Sequence, residues 1–239
     1  MSETPMTKTI AKESIQQLFT EARTHHFWQN KPVSEQTLRE LYELMKWGPT
    51  SVNSAPARIV FVRSESEKAR LYPSLMGSNP EQVKSAPVTA IIAYNEKFYE
   101  DLPRLFPSYD ARHFFTNDPK FSYDTAFRNS SLQGAYLIFA ARALGLDACP
   151  MSGFDNAEVD RVFFSGTALK SNFICTLGYG DSSKLYPRGP RRLSRKCARL
   201  FDRPRSEERC QTIRRRRGAG TNSLTPSPAS SSSGPRRGA

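Results

Sequence analysis

The sequence predicts a mixed fold, α+β or an α/β sandwich, and three observations carry that prediction. Segments with apolar residues at i, i+3, i+4 spacing alternate with short runs of β-branched and aromatic residues. Glycine, proline and small polar residues punctuate the boundaries between the two kinds of segment. At 239 residues the chain is long enough to bury one substantial core.

Taken in order, Ile15, Leu18, Phe19 and Ala22 fall at helical spacing and predict a first amphipathic helix ending near Arg23. Ser34 is the expected N-cap of a second helix with Leu38, Leu41, Tyr42 and Met45 on its apolar face, and Gly48-Pro49 stops it. "RIVFV" (58–62) and "VTAIIAY" (88–94) predict strands, the second fully buried because its apolar run is nearly continuous. A short helical stretch lies between them, around Glu65 to Tyr72. The longest helix is expected from about Ser122 to Leu144, with Leu132, Ala135, Tyr136, Phe139, Ala140 and Ala143 in one stripe and Gly145 as its stop. Gly134, Ala135, Ala140 and Ala141 would let another helix approach closely, so this is the central helix and a candidate for an interface. Asp155 with Glu158 three residues on predicts a capped helix restart, and "FICTLGYG" (173–180) a last core strand.

Two segments stand apart. Residues 98–123 hold 8 of the 26 aromatic residues and three prolines, too broken for a long element. They read as a satellite cluster or dimer contact, or as a lid over an apolar pocket. After Pro187 the chain turns rich in Arg, Ser, Pro and Gly, has no sustained periodicity beyond Phe201, and reads as disordered. The division in sequence is therefore a flexible start (1–13), one domain (14–192) and a basic tail (193–239). Charge follows the same division. Residues 1–187 hold 20 Lys/Arg and 20 Asp/Glu, whereas residues 188–239 hold 15 and 3, so the tail carries the whole net charge of +12. Nucleic-acid binding through Arg214 to Arg217 is thus a reading of the tail alone, and the lack of aromatics after Phe201 argues against base stacking.

Composition excludes several classes. No apolar run approaches the roughly 18 residues that span a bilayer, and the polar start MSETPMTKTIAKES lacks the apolar stretch of a signal peptide. Four cysteines (Cys149, Cys175, Cys197, Cys210) without a CxxC pair favour free thiols in a reducing cytoplasm. Three histidines, two of them adjacent (His25, His26), do not support a metal site. GxSxG, HExxH, P-loop and GxGxxG patterns are all missing. Ser51, Ser130 and Ser131 have no His arranged to activate them and read as turn or cap hydroxyls. What remains is a set of polar, Gly/Pro-containing loops: "ARTHHF" (22–27), "PTSVNSAP" (49–56), "GSNPE" (77–81), "CPMSGF" (149–154) and "LYPRGPRR" (185–192). Arg and hydroxyl groups suit a phosphate, and Asn and bare backbone N–H groups suit a polar heteroaromatic ring. On the residues alone these loops are either a cofactor site or ordinary turns.

"LFTEARTHHFW", "LRELYELMKWGPTSVNSAPARIVFV", "TAFRNSSLQGAYLIFAARALGLDACPMSGFD" and "LKSNFICTLGYGDSSKLYPR", in this order, resemble the FMN-dependent nitroreductase family over about residues 14–192, most closely its malonic semialdehyde reductase branch of pyrimidine degradation. The resemblance implies an α+β fold with a central mixed sheet flanked by helices, dimeric, with FMN at the subunit interface. It implies Arg23 on the phosphate with His25 at a polar position nearby, and Ser51, Asn53 and Ser54 against the flavin or the neighbouring subunit. Asn79 would face the flavin, Pro150, Met151, Ser152 and Gly153 would line its ring near N5, and Arg188 and Arg191 would join the phosphate. It further implies NADPH or NADH as reductant, ping-pong transfer through FMN, and an aldehyde, nitro or quinone acceptor, the branch's being malonic semialdehyde reduced to 3-hydroxypropanoate. A carboxylate on that acceptor needs a cation, for which Arg112, His113 and Arg128 are the candidates. No metal is implied.

Two departures stand out. Phe27 occupies a position where the family often has Lys, and "GPRRLSRKCARLF" begins like the family's amphipathic continuation and then dissolves into the basic tail. A chain that has lost catalysis with that arm is a further alternative. The abrupt change near Arg191–Arg192 points to a reading-frame shift, against a lineage-specific tail. Resequencing of the coding region is expected to show the shift there, and an intact frame encoding the same tail would refute it.

Overall fold

A computed structural model describes residues 8–192 together with 197 and 198. Contacts divide the chain into two units, residues 1–186 and 187–239. The first unit opens with α1 (Lys12–Ile15), which widens into a π-helical turn at Gln16–Thr20. Then follow α2 (Glu35–Met45), β1 (Ala57–Val62), α3 (Glu65–Leu71), α4 (Asn79–Ser85) and β2 (Val88–Asn95). After β2 come α5 (Leu102–Leu105), α6 (Arg112–Thr116), α7 (Pro119–Ala143), β3 (Asp147–Met151), α8 (Asn156–Phe163) and β4 (Leu169–Gly178). Within the described part of the second unit, residues 187–192 form no regular element. The expected basic tail lies outside the described residues except at Cys197 and Ala198, and of the expected flexible start only residues 8–13 are described, Lys12 and Glu13 being helical.

The strands form one sheet in the order β1-β2-β4-β3. Every ladder is antiparallel, which corrects the mixed sheet inferred from the resemblance. The reason lies in the connections. The α3–α4 and α8 excursions each return the chain to the sheet end they left, so consecutive strands pair as antiparallel neighbours. Parallel pairing among the described residues is confined to one isolated bridge, Thr24 with Ala148. The near-continuous apolar run of β2 reflects helices on both faces. Val88, Ala90 and Ile92 pack toward α2 and α7, while Ile91 and Ala93 join a second cluster with Leu71, Val83 and Val159 of α3, α4 and α8.

Local signals hold where a side chain closes its own turn. Ser34 accepts from the Thr37 N–H and Asp155 from the Glu158 N–H, capping α2 and α8. The first helix stops earlier than expected, at Thr20, because Thr24 is drawn out to pair with β3. Two elements were read as loops in the sequence: Asn79-Pro80 opens α4, and Asp147–Met151 is an edge strand. Residues 98–116 form short helical turns around their own cluster of Phe98, Leu102 and Phe115, which is the satellite arrangement.

The largest difference concerns α7. The apolar stripe of this candidate interface helix is largely outward, with Leu132 and Tyr136 exposed. Its buried face is small and polar: Ser122, Thr125, Ala126, Asn129, Ser130, Gln133, Gly134, Leu137, Ala140 and Ala141. Two amides explain this. The Asn129 side chain accepts from the Ser51 N–H at 2.9 Å, and the Gln133 side chain from the Ala57 N–H at 2.8 Å, so α7 holds the chain that enters β1. Gly134 lets the helix sit on the Phe173 ring, where an added Cβ would come within 2.4 Å. Gln133→Leu keeps the volume but strips the acceptor from a buried backbone N–H. A loss of about 1–3 kcal/mol is expected in urea denaturation, and an unchanged midpoint would show that the amide carries no such role.

Candidate functional site

The stretch from Thr50 to Pro56 is bent by force rather than by glycine. Val52, Asn53 and Ala55 all sit at positive φ, of 47°, 49° and 39°. Each such non-glycine residue costs on the order of 1 kcal/mol or more. Surrounding bonds hold it there: Ser51 N–H to Asn129, Asn53 Nδ2 to the Leu105 carbonyl at 2.9 Å, and Ala55 N–H to Thr50 Oγ1 at 3.1 Å. Ser54 is 1% exposed and its Oγ has no partner among the described residues.

A second group gathers along the outer edge of β3. The Thr24–Ala148 bridge lays the Arg23 loop beside this strand. Arg23 donates from Nη2 to the Tyr186 carbonyl, the one hydrogen bond it makes among the described residues, and is half-buried. Beyond Ala148 the strand runs into Pro150–Gly153. There Asn79 Nδ2 donates to the Gly153 carbonyl at 2.8 Å, and the Met76 N–H donates to the same oxygen at 2.9 Å. A cavity of about 310 Å³ opens here, lined by Ser131, Ala135, Ile138, Pro150, Met151, Ser152 and Phe173. Its walls are mainly apolar, with hydroxyls at Ser131 and Ser152.

His25 and its neighbour have structural partners. The His25 ring is buried against Gly180, its Nε2 is 3.5 Å from Asp147 Oδ1, and Asp147 Oδ2 accepts from the Gly180 N–H at 2.9 Å. Its Nδ1 has no partner among the described residues. His26 Nδ1 lies 2.9 Å from Gln82 Oε1, which also accepts from the Cys149 thiol at 3.3 Å. With Gln82 Nε2 turned to Ser78 Oγ, that oxygen is an acceptor, so Nδ1 of His26 carries the proton. Burial pushes the Cys149 thiol up to about 11 and raises that of Cys175 as well.

The candidate cations are not alike. Arg112 grips Asp110 through its backbone N–H, Nε and Nη2, at 3.1, 2.9 and 2.6 Å, and these bonds hold the Asp110 carboxyl down at about 2. His113 Nδ1 is 3.0 Å from the Asp110 carbonyl. Arg128 lies apart on the exposed face of α7. Arg188 and Arg191 belong to the second unit, where Arg191 Nη1 donates to the Gly189 carbonyl at 2.9 Å.

The profile of the nitroreductase family matches residues 20–180. The chain belongs to that family. Solved structures agree on the fold. A Bacillus subtilis protein described as a nitroreductase is 22% identical, with a TM-score of 0.73 over 80% of this chain and 100% of that one. A nitroreductase from Exiguobacterium sibiricum, solved in complex with FMN, is 20% identical with a TM-score of 0.71, over 81% and 100%. An NAD(P)H:FMN oxidoreductase from Staphylococcus epidermidis is 20% identical with a TM-score of 0.68, over 82% and 99%.

In this nitroreductase-family chain the structure brings Arg23, His25, Asn79 and Pro150–Gly153 to one edge of the sheet. It leaves Ser51, Asn53 and Ser54 before β1, the opposite edge strand, three strand spacings or about 14 Å across. Sequence reasoning missed Thr24, Gln82, Asp147 and the pair Asn129/Gln133. Only the last left a readable signal, two amides four residues apart on one helix face. Among the described residues no helix is long and apolar enough to cross a membrane, and no group of three or more His, Cys, Asp or Glu residues could hold a metal.

The thiols give a test of the β3 edge. Because folding raises the Cys149 pKa, neutral thiol is favoured in the folded state, and that contribution is present below about pH 9 and lost as pH rises through about 11. At pH 8 native protein should leave Cys149 and Cys175 unreacted with a disulfide reagent, and both should react after denaturation. Rapid labelling of Cys149 in the native state would contradict this packing.

Proposed function

We propose that this chain is a flavin-dependent NAD(P)H oxidoreductase that holds FMN along the outer edge of β3. The observation that carries the reading is the Thr24–Ala148 bridge, because it places a cation and an apolar cavity on one strand edge. Arg23 lies beside Ala148, and the cavity begins a few residues further on, roughly 10 Å along the strand. That pairing suits a molecule with an anionic end and a flat, polar-edged ring. The Exiguobacterium sibiricum relative, solved with FMN, supports it.

The residues fit the group in named ways. Arg23 would hold the phosphate with its unused donors, and Arg188 and Arg191 remain proposed additions to it. Ala135, Ile138 and Phe173 offer apolar contact to the ring, and the Pro150–Gly153 backbone and Ser152 hydroxyl face its polar edge. Asn79 acts by fixing the Gly153 carbonyl, and His25 by bracing the Arg23 loop against Gly180. Bound there, FMN would supply stepwise hydride transfer from NADPH or NADH to an acceptor, a reading supported by the NAD(P)H:FMN oxidoreductase description of the Staphylococcus epidermidis relative. For malonic semialdehyde the sum is aldehyde plus NAD(P)H plus one proton, giving 3-hydroxypropanoate and NAD(P)⁺. We favour this acceptor and a place in pyrimidine degradation; a broader nitro, quinone or enone reductase is the alternative that the apolar cavity walls favour.

A homodimer completes the picture. Ser51–Ser54 and the β3 edge lie on opposite sides of the sheet, so a ring on Met151 meets those hydroxyls from a second chain. Trp47 is 78% exposed, and the Tyr136 ring that packs on Gly48 is also exposed, which makes an apolar patch suited to a partner. Purified protein is expected to show flavin bands near ~450 nm and release FMN on denaturation. Arg23→Ala should weaken FMN binding about 10-fold or more, and folded protein that is colourless and refuses added FMN would overturn the proposal.

A further inference from the structure

Ser131 lines two depressions. One is the 310 Å³ cavity beside Pro150–Ser152, and the other is a groove of about 460 Å³ along α7 lined by Asp124, Phe127, Arg128, Ser131 and Leu132. The Ser131 hydroxyl is fixed between them, donating to the Phe127 carbonyl at 2.9 Å and accepting from Asn172 Nδ2 at 2.9 Å. The two spaces therefore adjoin at one residue, Ser131, whose hydroxyl is held by two hydrogen bonds.

Arg128 is the cation of that groove, and Asp124, which also lines it, pairs with a lysine instead. Asp124, one helical turn earlier and its natural i,i+4 partner, is taken by Lys120 at 2.6 Å. Among the described residues Arg128 makes no hydrogen bond or ion pair. Arg112, by contrast, has its guanidinium closed on Asp110, and the His113 ring is turned to a backbone carbonyl. Phe127 and Leu132 flank Arg128 with apolar surface, and its planar guanidinium suits a bidentate bond to a planar anion.

We infer that Arg128 is the specificity-determining residue of the acceptor site, gripping the carboxylate of a short oxo-acid while its carbonyl end reaches past Ser131 into the cavity. This rests on the flavin reading given above and narrows it to anionic acceptors. The groove then sets which acceptor is chosen, and the β3 edge sets where it reacts. Arg128 makes no bond to the reacting carbon and takes no proton.

The test compares FMN-loaded wild type, Arg128→Gln and Arg128→Lys with malonic semialdehyde and with menadione, a neutral quinone. Arg128→Gln should lose at least about tenfold more kcat/KM with the semialdehyde than with the quinone, mainly through KM, and Arg128→Lys should recover part of it. Calorimetric titration with 3-hydroxypropanoate, against propane-1,3-diol, should show the acid's affinity falling by a similar factor in Arg128→Gln. Equal losses with both acceptors, or unchanged affinity for the acid, overturn the inference. Wild type that holds FMN and reduces menadione while Arg128→Gln shows no selective loss overturns the role of Arg128 alone. Protein that takes up no FMN overturns the flavin reading, and the titration then decides Arg128 by itself.

Discussion

Each of the central strands carries apolar side chains toward both faces, and water has to be kept from both. Helices α2 and α7 cover one side, while α3, α4 and α8 cover the other. Most of both sheet faces is therefore closed to a ligand. The places left are strand ends, the loops around them and the outer edge of an edge strand. β3 is the strand where that edge is used: Thr24 closes part of it, and Pro150, which has no N–H to offer a neighbouring strand, leaves the next part open.

The same constraint accounts for the character of α7. A helix that only filled a core would turn Leu132 and Tyr136 inward. This one turns Asn129 and Gln133 inward, because the strained backbone between Thr50 and Ala57 leaves part-buried N–H groups that need acceptors. Two buried amides meet that need and small residues let the helix come close enough to do it. The apolar stripe is left outside, where Leu132 and Ala135 help to line the groove and the cavity. Core packing, loop geometry and the proposed ligand site thus share one helix.

Charge is placed with similar economy. Most ion pairs on the surface of the first unit are local, such as Arg112 with Asp110 or Arg161 with Glu158, and such exposed pairs contribute little to stability. Arg23 and Arg128 differ from them. Among the described residues Arg23 bonds only a carbonyl, and Asp124 pairs with Lys120 rather than with Arg128.

Family, fold class and most elements were legible in the residues because local rules govern them: caps at Ser34 and Asp155, the apolar run of β2, and the ordered loops that resemble the nitroreductases. The direction in which α7 faces, the antiparallel sheet and the strand character of Asp147–Met151 were not legible. Each depends on partners distant in the chain, as Gln133 depends on Ala57 and Thr24 on Ala148. Residue order alone could nominate Arg112, His113 and Arg128 equally. Only the folded chain distinguishes their surroundings, since Arg112 is closed on Asp110 while Asp124 pairs with Lys120 rather than with Arg128.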